Sequence, residues 1–496
     1  MKKNTVSKKD IPFFKKMEYL KVIALLIILN SQFSIFNLSA QLATYPAPQG
    51  ATLNSDFSVK VRIPGKEWQE TPTYLINVDE VRDTKHNVEN ASLAYFDFSS
   101  EVEVAITFNR GTVNSAQIRP LSYKITPKID GNTLIFSLKE PRNLSVEING
   151  DIFHNLHLFA GSPLVIDSKA KNPRNGGKFM YFPAGIHKPE NGGSFRIHSG
   201  TTVYVAGGAL LMGQLLVENA RDVKIIGRGM VDRTVKEGIR IANSKNVYIE
   251  GLTCTQCPIG GSDSVVVKNV KSISYYGWGD GMNIFASSNV LYDSVFCRNS
   301  DDCHTVYATR KGFTGSCRNI TMRNSTLWAD VAHPIQIGTH GSTEKPDVIE
   351  NCRYENIDIL DHNEKQIDYQ GCMSLNAGDS NFISDISFEN IRVENFRCGQ
   401  LLNIRVFYNS KYCTSPGRGV ENIHFKNITY NGTNAELSII AGYDEQRKVK
   451  NITFENLNIN GQVISDDMEG KPAWYRTADM ARIFVGEHVE NLTFTK

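Results

Sequence analysis

One phrase recurs through the second half of this chain and constrains its fold more than any other feature. A polar residue, most often Asn, leads a short run of alternating apolar residues. The phrase reads Asp222-Val223-Lys224-Ile225, Asn246-Val247-Tyr248-Ile249, Asn289-Val290-Leu291, Asn319-Ile320-Thr321-Met322, Asp385-Ile386-Ser387-Phe388, Asn422-Ile423-His424-Phe425, Asn451-Ile452-Thr453-Phe454 and Asn491-Leu492-Thr493-Phe494. The leading apolar residues are 24, 43, 30, 66, 37, 29 and 40 residues apart. Short strands at such imperfect intervals predict stacked coils with one or two strands each, as in a parallel β-helix. Inward side chains would stack as apolar columns, and the Asn residues would pair along the corners as a ladder. The two longest intervals require inserted loops or further coils. No 3.6-residue periodicity persists, which argues against a βα barrel or a leucine-rich solenoid. The Asn-x-Ser/Thr triplets at Asn319, Asn427, Asn451 and Asn491 fall on the repeat and read as ladder positions ahead of glycan acceptors.

The front of the chain is patterned differently. Residues 57–63, 102–106 and 144–148 alternate as short strands, and the last runs into Asn149-Gly150, a hairpin signal. Strands of this length and spacing predict a β-sandwich over residues 41–178, ending in a polar Gly/Pro-bearing linker at 168–178. The expected class is therefore all-β: a right-handed parallel β-helix over 179–496, preceded by an N-terminal β-sandwich. Residues 1–40 read as a secretory signal peptide, with lysines before the apolar run Val22–Leu29 and cleavage after Ala40. Asn30, Ser31 and Gln32 break that run well short of the ~20 residues of a membrane span. The chain is thus expected to be secreted or periplasmic, with no transmembrane segment once the leader is removed.

Charge narrows the partners. The leader carries seven Lys against Asp10 and Glu18, which leaves the remainder slightly acidic. That balance excludes nucleic acid, which needs a phosphate-neutralising field. Nine Cys lie between Cys254 and Cys413. The one CxxC, Cys254 and Cys257, has no second ligand pair at zinc spacing, so no metal or cofactor is expected and most thiols read as core residues.

One stretch departs from repeat logic. Gly279-Asp280-Gly281 is followed one coil later by Ser300-Asp301-Asp302-Cys303. A coil returns the chain to the same face one strand spacing away, ~4.8 Å. Carboxylates that close do not all ionise, so one should have a raised pKa. A general acid beside a general base follows, the pair that glycoside hydrolysis requires.

These motifs resemble the polygalacturonase and dextranase clan of glycoside hydrolases, families 28 and 49. Family 28 carries Asn-Thr-Asp, then Asp-Asp a coil later, then Gly-His-Gly and Arg-x-Lys. The first two match here, and the last two are not found at their expected distances. The run Trp328 to Thr339 resembles a tryptophan, proline-valine-isoleucine and glycine-tryptophan phrase of family 49, which also sets a β-sandwich before its β-helix. His333 stands before Pro334, and Thr339 replaces the tryptophan.

The resemblance implies an inverting mechanism. Asp301 would protonate the leaving oxygen, while Asp280 and Asp302 would hold and deprotonate the water. Trp278, Tyr307 and Trp328 are candidates for stacking on sugar rings. His304, His333, Gln336 and His340 are candidates for bonding hydroxyls, and Arg310, with Lys311, for a uronate carboxylate. The expected substrate is an α-linked polysaccharide, dextran-like before pectin-like. A polysaccharide lyase and a non-catalytic carbohydrate-binding solenoid are the alternatives.

Overall fold

The computed structural model describes residues 41–82, 85–164, 178–190 and 192–496. The signal-peptide reading of 1–40 lies outside those residues, as does the linker reading apart from Lys178. Among the described residues, no helix is long and apolar enough to cross a membrane.

Two sheets make up the front. A six-stranded sheet contains Tyr74–Arg82, Lys85–Phe98, Arg142–Ile148 and Asp151–Gly161, and a five-stranded sheet contains Phe57–Arg62, Val102–Phe108 and Thr133–Leu138. Alternate residues of both, among them Val59, Phe96, Val104, Phe136 and Leu158, interdigitate as one core. The hairpin at Asn149-Gly150 has positive φ at both residues, 57° and 78°, as a tight two-residue turn demands.

Residues from Lys178 onward wind into a parallel β-helix. Eleven short strands, one per coil, stack in register as one parallel sheet, and a nineteen-stranded sheet built from the other sides of the coils closes the tube. The recurring phrase has a backbone cause. Asp222, Asn246, Asn289, Asn319, Asp385, Asn422, Asn451 and Asn491 all have φ between 56° and 60°. Of the residues with a Cβ, Asn and Asp reach this left-handed region most readily. Their side chains then bond along the stack: Asn351 Nδ2 donates to Asn319 Oδ1 at 2.6 Å, and Asn319 Nδ2 donates to Asn289 Oδ1 at 2.8 Å. A second run joins Asn491 to Asn451 and Asn451 to Asn422, each at 2.9 Å. Inside, Tyr354, Phe388, Phe425, Phe454 and Phe494 stack with centroids 4.8–4.9 Å apart. Asn319→Ala should cost about 1–2 kcal/mol, because Ala resists the left-handed conformation and the ladder loses both bonds. Asn319→Gly should cost less, and urea denaturation of the two variants separates the backbone part from the ladder part.

The sandwich is packed onto the solenoid rather than tethered beside it. Tyr74, Leu93 and Phe159 share a buried cluster with Leu210, Met230 and Phe296 of the coils. Three buried arginines bridge the same interface. Arg298 pairs with Asp330 at 2.8 Å and reaches Asn155 at 2.9 Å, Arg228 pairs with Asp97 at 2.8 Å, and Arg119 pairs with Glu394 at 2.6 Å. Buried charges of this kind require paired partners. All nine thiols are free, and eight are buried.

Candidate active site

Three strands of the eleven-stranded sheet set the site: Met282–Phe285, His304–Tyr307 and Ile335–Gly338. Met282 stands opposite His304, and His304 opposite Ile335. Asp280, Asp302 and His333 each lie two residues before these strands. They therefore form a column, one residue per coil, held by the bonds Gly281 N–H to Asp302 O and Cys303 N–H to His333 O, both 2.8 Å. Asp301 and Asp302 occupy the bend before the strand, so strand alternation does not send them to opposite faces.

The glycines around Asp280 are dictated by this stacking. A Cβ on Gly279 would lie 2.3 Å from Ser300 Oγ, and one on Gly281 would lie 2.4 Å from both Asn299 Oδ1 and the Cys303 carbonyl. Gly281→Ala should push the two carboxylate turns apart. We expect a stability loss of about 1–3 kcal/mol, as for other over-packed sites, together with a fall in activity exceeding the unfolded fraction measured by urea titration.

The three carboxyls are in different states. Burial would raise Asp302, but the His333 charge and the bonds from His333 and Tyr307 outweigh it and hold Asp302 below the ordinary value. Its Oδ1 accepts from the His333 backbone N–H at 3.1 Å and from His333 Nδ1 at 2.7 Å, and its Oδ2 accepts from the Tyr307 hydroxyl at 2.9 Å. The other ring nitrogen of His333 donates to the Tyr369 carbonyl at 2.7 Å. Both partners of the ring are acceptors, so both nitrogens carry protons and the ring is cationic. Burial opposes that charge, yet the Asp302 carboxylate raises His333 above its usual value. Asp301 moves the other way: burial, then the charges of Asp280 and Asp302, push it well above the ordinary range. Asp280 is raised to about 7 by burial and by Asp302, against the pull of Lys311.

These shifts have a sign for stability. Asp280 and Asp301 hold protons in the folded state that the unfolded chain releases near pH 4, so stability should fall as pH rises from about 4 toward 7. His333 adds to the same trend, its contribution being complete below about 6.5 and lost as pH rises through its raised value. Asp302 acts only at the acid end, where its contribution is lost as pH drops through its lowered value. Asp280→Asn should flatten the fall between pH 4 and 7, as read by Tm against pH.

An open cleft of about 440 Å³ lies beside Asp280, lined by Lys236, Gln256, Trp278, Asn283, Phe285 and Lys311, among others. Trp278 is 86% exposed. Arg310 is exposed on the turn that carries Lys311, and its Nη1 donates to His340 Nδ1 at 3.0 Å.

Other residues singled out in the sequence have different posts. His304 is in register with Met282 and points into the tube, where its nitrogens meet the Met282 carbonyl at 2.7 Å and the Tyr354 hydroxyl at 3.1 Å. It cannot bond a substrate in the cleft. Trp328 is fully buried on the sandwich side, with Arg298 4.0 Å above its ring. It cannot stack on a sugar. Tyr307 is buried and spends its hydroxyl on Asp302 instead of offering a ring face. His340 is buried against the Tyr307 ring at 4.9 Å, and burial and Arg310 lower it to about 3, so it is a neutral prop for Arg310. Gln336 faces outward but is fully covered, its Nε2 on the Thr339 hydroxyl at 2.5 Å. Lys236 and Gln256 escaped the sequence reading. They come from earlier coils, and only the stacking register brings them beside Asp280.

Known proteins agree with this architecture. The sequence profile of the glycosyl hydrolases family 28 matches residues 219–473, a span containing every carboxylate of the site. No curated protein matches the sequence. Among solved structures, Dex49A from Penicillium minioluteum superposes with a TM-score of 0.58 at 14% identity, covering 91% of this chain and 96% of that one. A family 28 exopolygalacturonase from Yersinia enterocolitica has a TM-score of 0.46 at 12% identity, covering 79% of this chain and 96% of that one. The first similarity is one of fold across sandwich and solenoid together. The profile match extends over more than half of the sequence, and the chain belongs to the glycosyl hydrolases family 28.

Proposed function

We propose that this protein hydrolyses α-glycosidic bonds of a polysaccharide with inversion at the anomeric carbon. The observation that carries the reading is the split of the carboxyls: Asp301 is pushed toward the protonated form beside Asp302, which His333 keeps ionised. Asp301 gives its proton to the glycosidic oxygen as that bond breaks. Asp302 takes a proton from the water that attacks the opposite face, and Asp280 helps to hold that water in place. Three of the roughly four acceptor positions of Asp302 are already occupied, which fixes its orientation and leaves one for the water. Asp301 recovers a proton from solvent after the leaving chain departs.

For the substrate, the cleft favours a uronate chain over the neutral dextran-like glucan expected from the sequence. Lys236 lies over the Tyr276 ring at 4.9 Å and Lys311 over the Phe285 ring at 5.4 Å. Neither lies within ion-pair distance of a carboxylate among the described residues, so both ammonium groups are free to meet anionic sugars. Export by the N-terminal leader belongs to the same reading, since such polymers lie outside the cell.

Incubation with polygalacturonate, dextran, pullulan and carrageenan tests it. We expect cleavage of polygalacturonate to saturated products. Cleavage of dextran alone would restore the glucan reading, and unsaturated product ends would replace hydrolysis by elimination. Lys311→Ala should raise KM for the uronate polymer about tenfold, one charge-assisted contact, with kcat less affected.

A further inference from the structure

We propose that the protein attacks chain ends and releases short products, because the groove is open on one side of the carboxylates and bridged on the other. The inference rests on the hydrolytic reading above. Asn283, Thr305, Gln336, Ser374 and Asn403 form one row across successive coils of the eleven-stranded sheet. Their neighbours in the strands, such as Ile284, Val306, Ile337, Leu375 and Ile404, fill the tube, so this row points outward. Before Asp280 the groove is open: the cleft runs back past Gln256 to Gln214 and Gly193 of the earlier coils. The whole row is buried, Asn283 at 2% and Thr305, Gln336, Ser374 and Asn403 fully, so the two sides differ in what lies above it: beyond Asp302, Gly371 sits directly against Ser374 and Asn403.

Two loops cover them. Residues 362–372 lead into the strand Met373–Ala377, and residues 407–418 leave the strand Leu402–Val406 at its far end. They start from opposite ends of two neighbouring parallel strands and meet above the sheet. Tyr369 stacks on Tyr412 at 4.3 Å, the Tyr412 hydroxyl donates to Gln366 Oε1 at 2.8 Å, and Asn409 Nδ2 donates to Asp368 Oδ2 at 3.2 Å. Phe407 and Cys413 complete a buried cluster with Tyr369. The bridge begins one imidazole ring beyond Asp302, since His333 touches Asp302 with one nitrogen and the Tyr369 carbonyl with the other. A polymer lying along the sheet cannot continue past the carboxylates in that direction, so its end must sit there.

The test follows polygalacturonate, dextran and pullulan with time, measuring reducing ends, viscosity and product sizes together. On the polymer that is cleaved, we expect only the smallest sugars from the first time points, with viscosity almost unchanged as reducing ends accumulate. An early ladder of oligomers with a steep loss of viscosity would overturn end attack and leave hydrolysis standing. Failure to cleave any of them would remove the hydrolytic reading, and this inference with it. Tyr412→Ala combined with Gln366→Ala unties the bridge and should increase the viscosity lost per bond cleaved many-fold. Should that variant not fold, the wild-type product profile decides alone.

Discussion

Replacing Asp301 by Asn is expected to lower kcat by about 100- to 10,000-fold, the usual worth of a positioned general acid. The substitution keeps the size of the side chain and an oxygen for the Asp302 N–H, now bonded at 2.9 Å. The proton is what is lost. Folding should survive and even improve slightly near neutral pH, because the wild-type group is a carboxyl crowded by Asp280 and Asp302. A substrate with a good leaving group needs less protonation, so its rate should fall less. Asp302→Asn should show no such relief, since water activation is still required. Equal sensitivity of the two variants to leaving group would contradict the division of roles.

Loss of the His333 side chain should be costly in a different way. His333→Ala leaves the Asp302 carboxylate buried without its cation, a situation that typically costs about 3–5 kcal/mol. It should also move the pH profile. Without the imidazolium, the Asp302 carboxyl rises, so the limb that follows ionisation of the base shifts to higher pH. His333→Gln can still donate one hydrogen bond and should restore part of the stability, but the limb should remain displaced because the charge is gone. A purely structural His333 would give a stability loss with no displacement of the limb.

Much of this architecture was legible because the solenoid writes its geometry into the chain. The Asn and Asp residues that open each phrase mark left-handed corners, and the one-coil spacing of Asp280 and Asp302 places them in one column. The two long intervals hide one coil each. One is led by Ser264 before Val265, the other by Asn351 before Cys352 and Tyr354, and both corners have positive φ, 59° and 55°. Serine lacks the amide of the ladder, and Cys352 stands where Val, Ile or Leu opens the apolar run in the other phrases, so neither coil announced itself. The orientation of His304 was within reach: it follows Asp302 at the distance by which Met282 follows Asp280, and Met282 is plainly a core residue. Trp328 was not, because nothing in a local pattern tells which wall of the tube the sandwich covers. Nothing local to Arg298 and Asp330 marks them as a buried pair; only the interface with the sandwich does. The bridging loops are the least legible part, since Tyr369 and Tyr412 meet across the sheet without any periodic signal.

The proposed reaction uses a proton donor and a separate base that activates water, with no glycosyl bond to the protein. Proton NMR of the first product formed from the cleaved polymer tests this most directly. Attack by water on the face opposite the leaving chain predicts that an α-linkage yields the β-anomer first, followed by slow mutarotation. An α-anomer as the first product would mean that a carboxylate of the protein had attacked in its place, and would contradict the roles assigned to Asp280, Asp301 and Asp302.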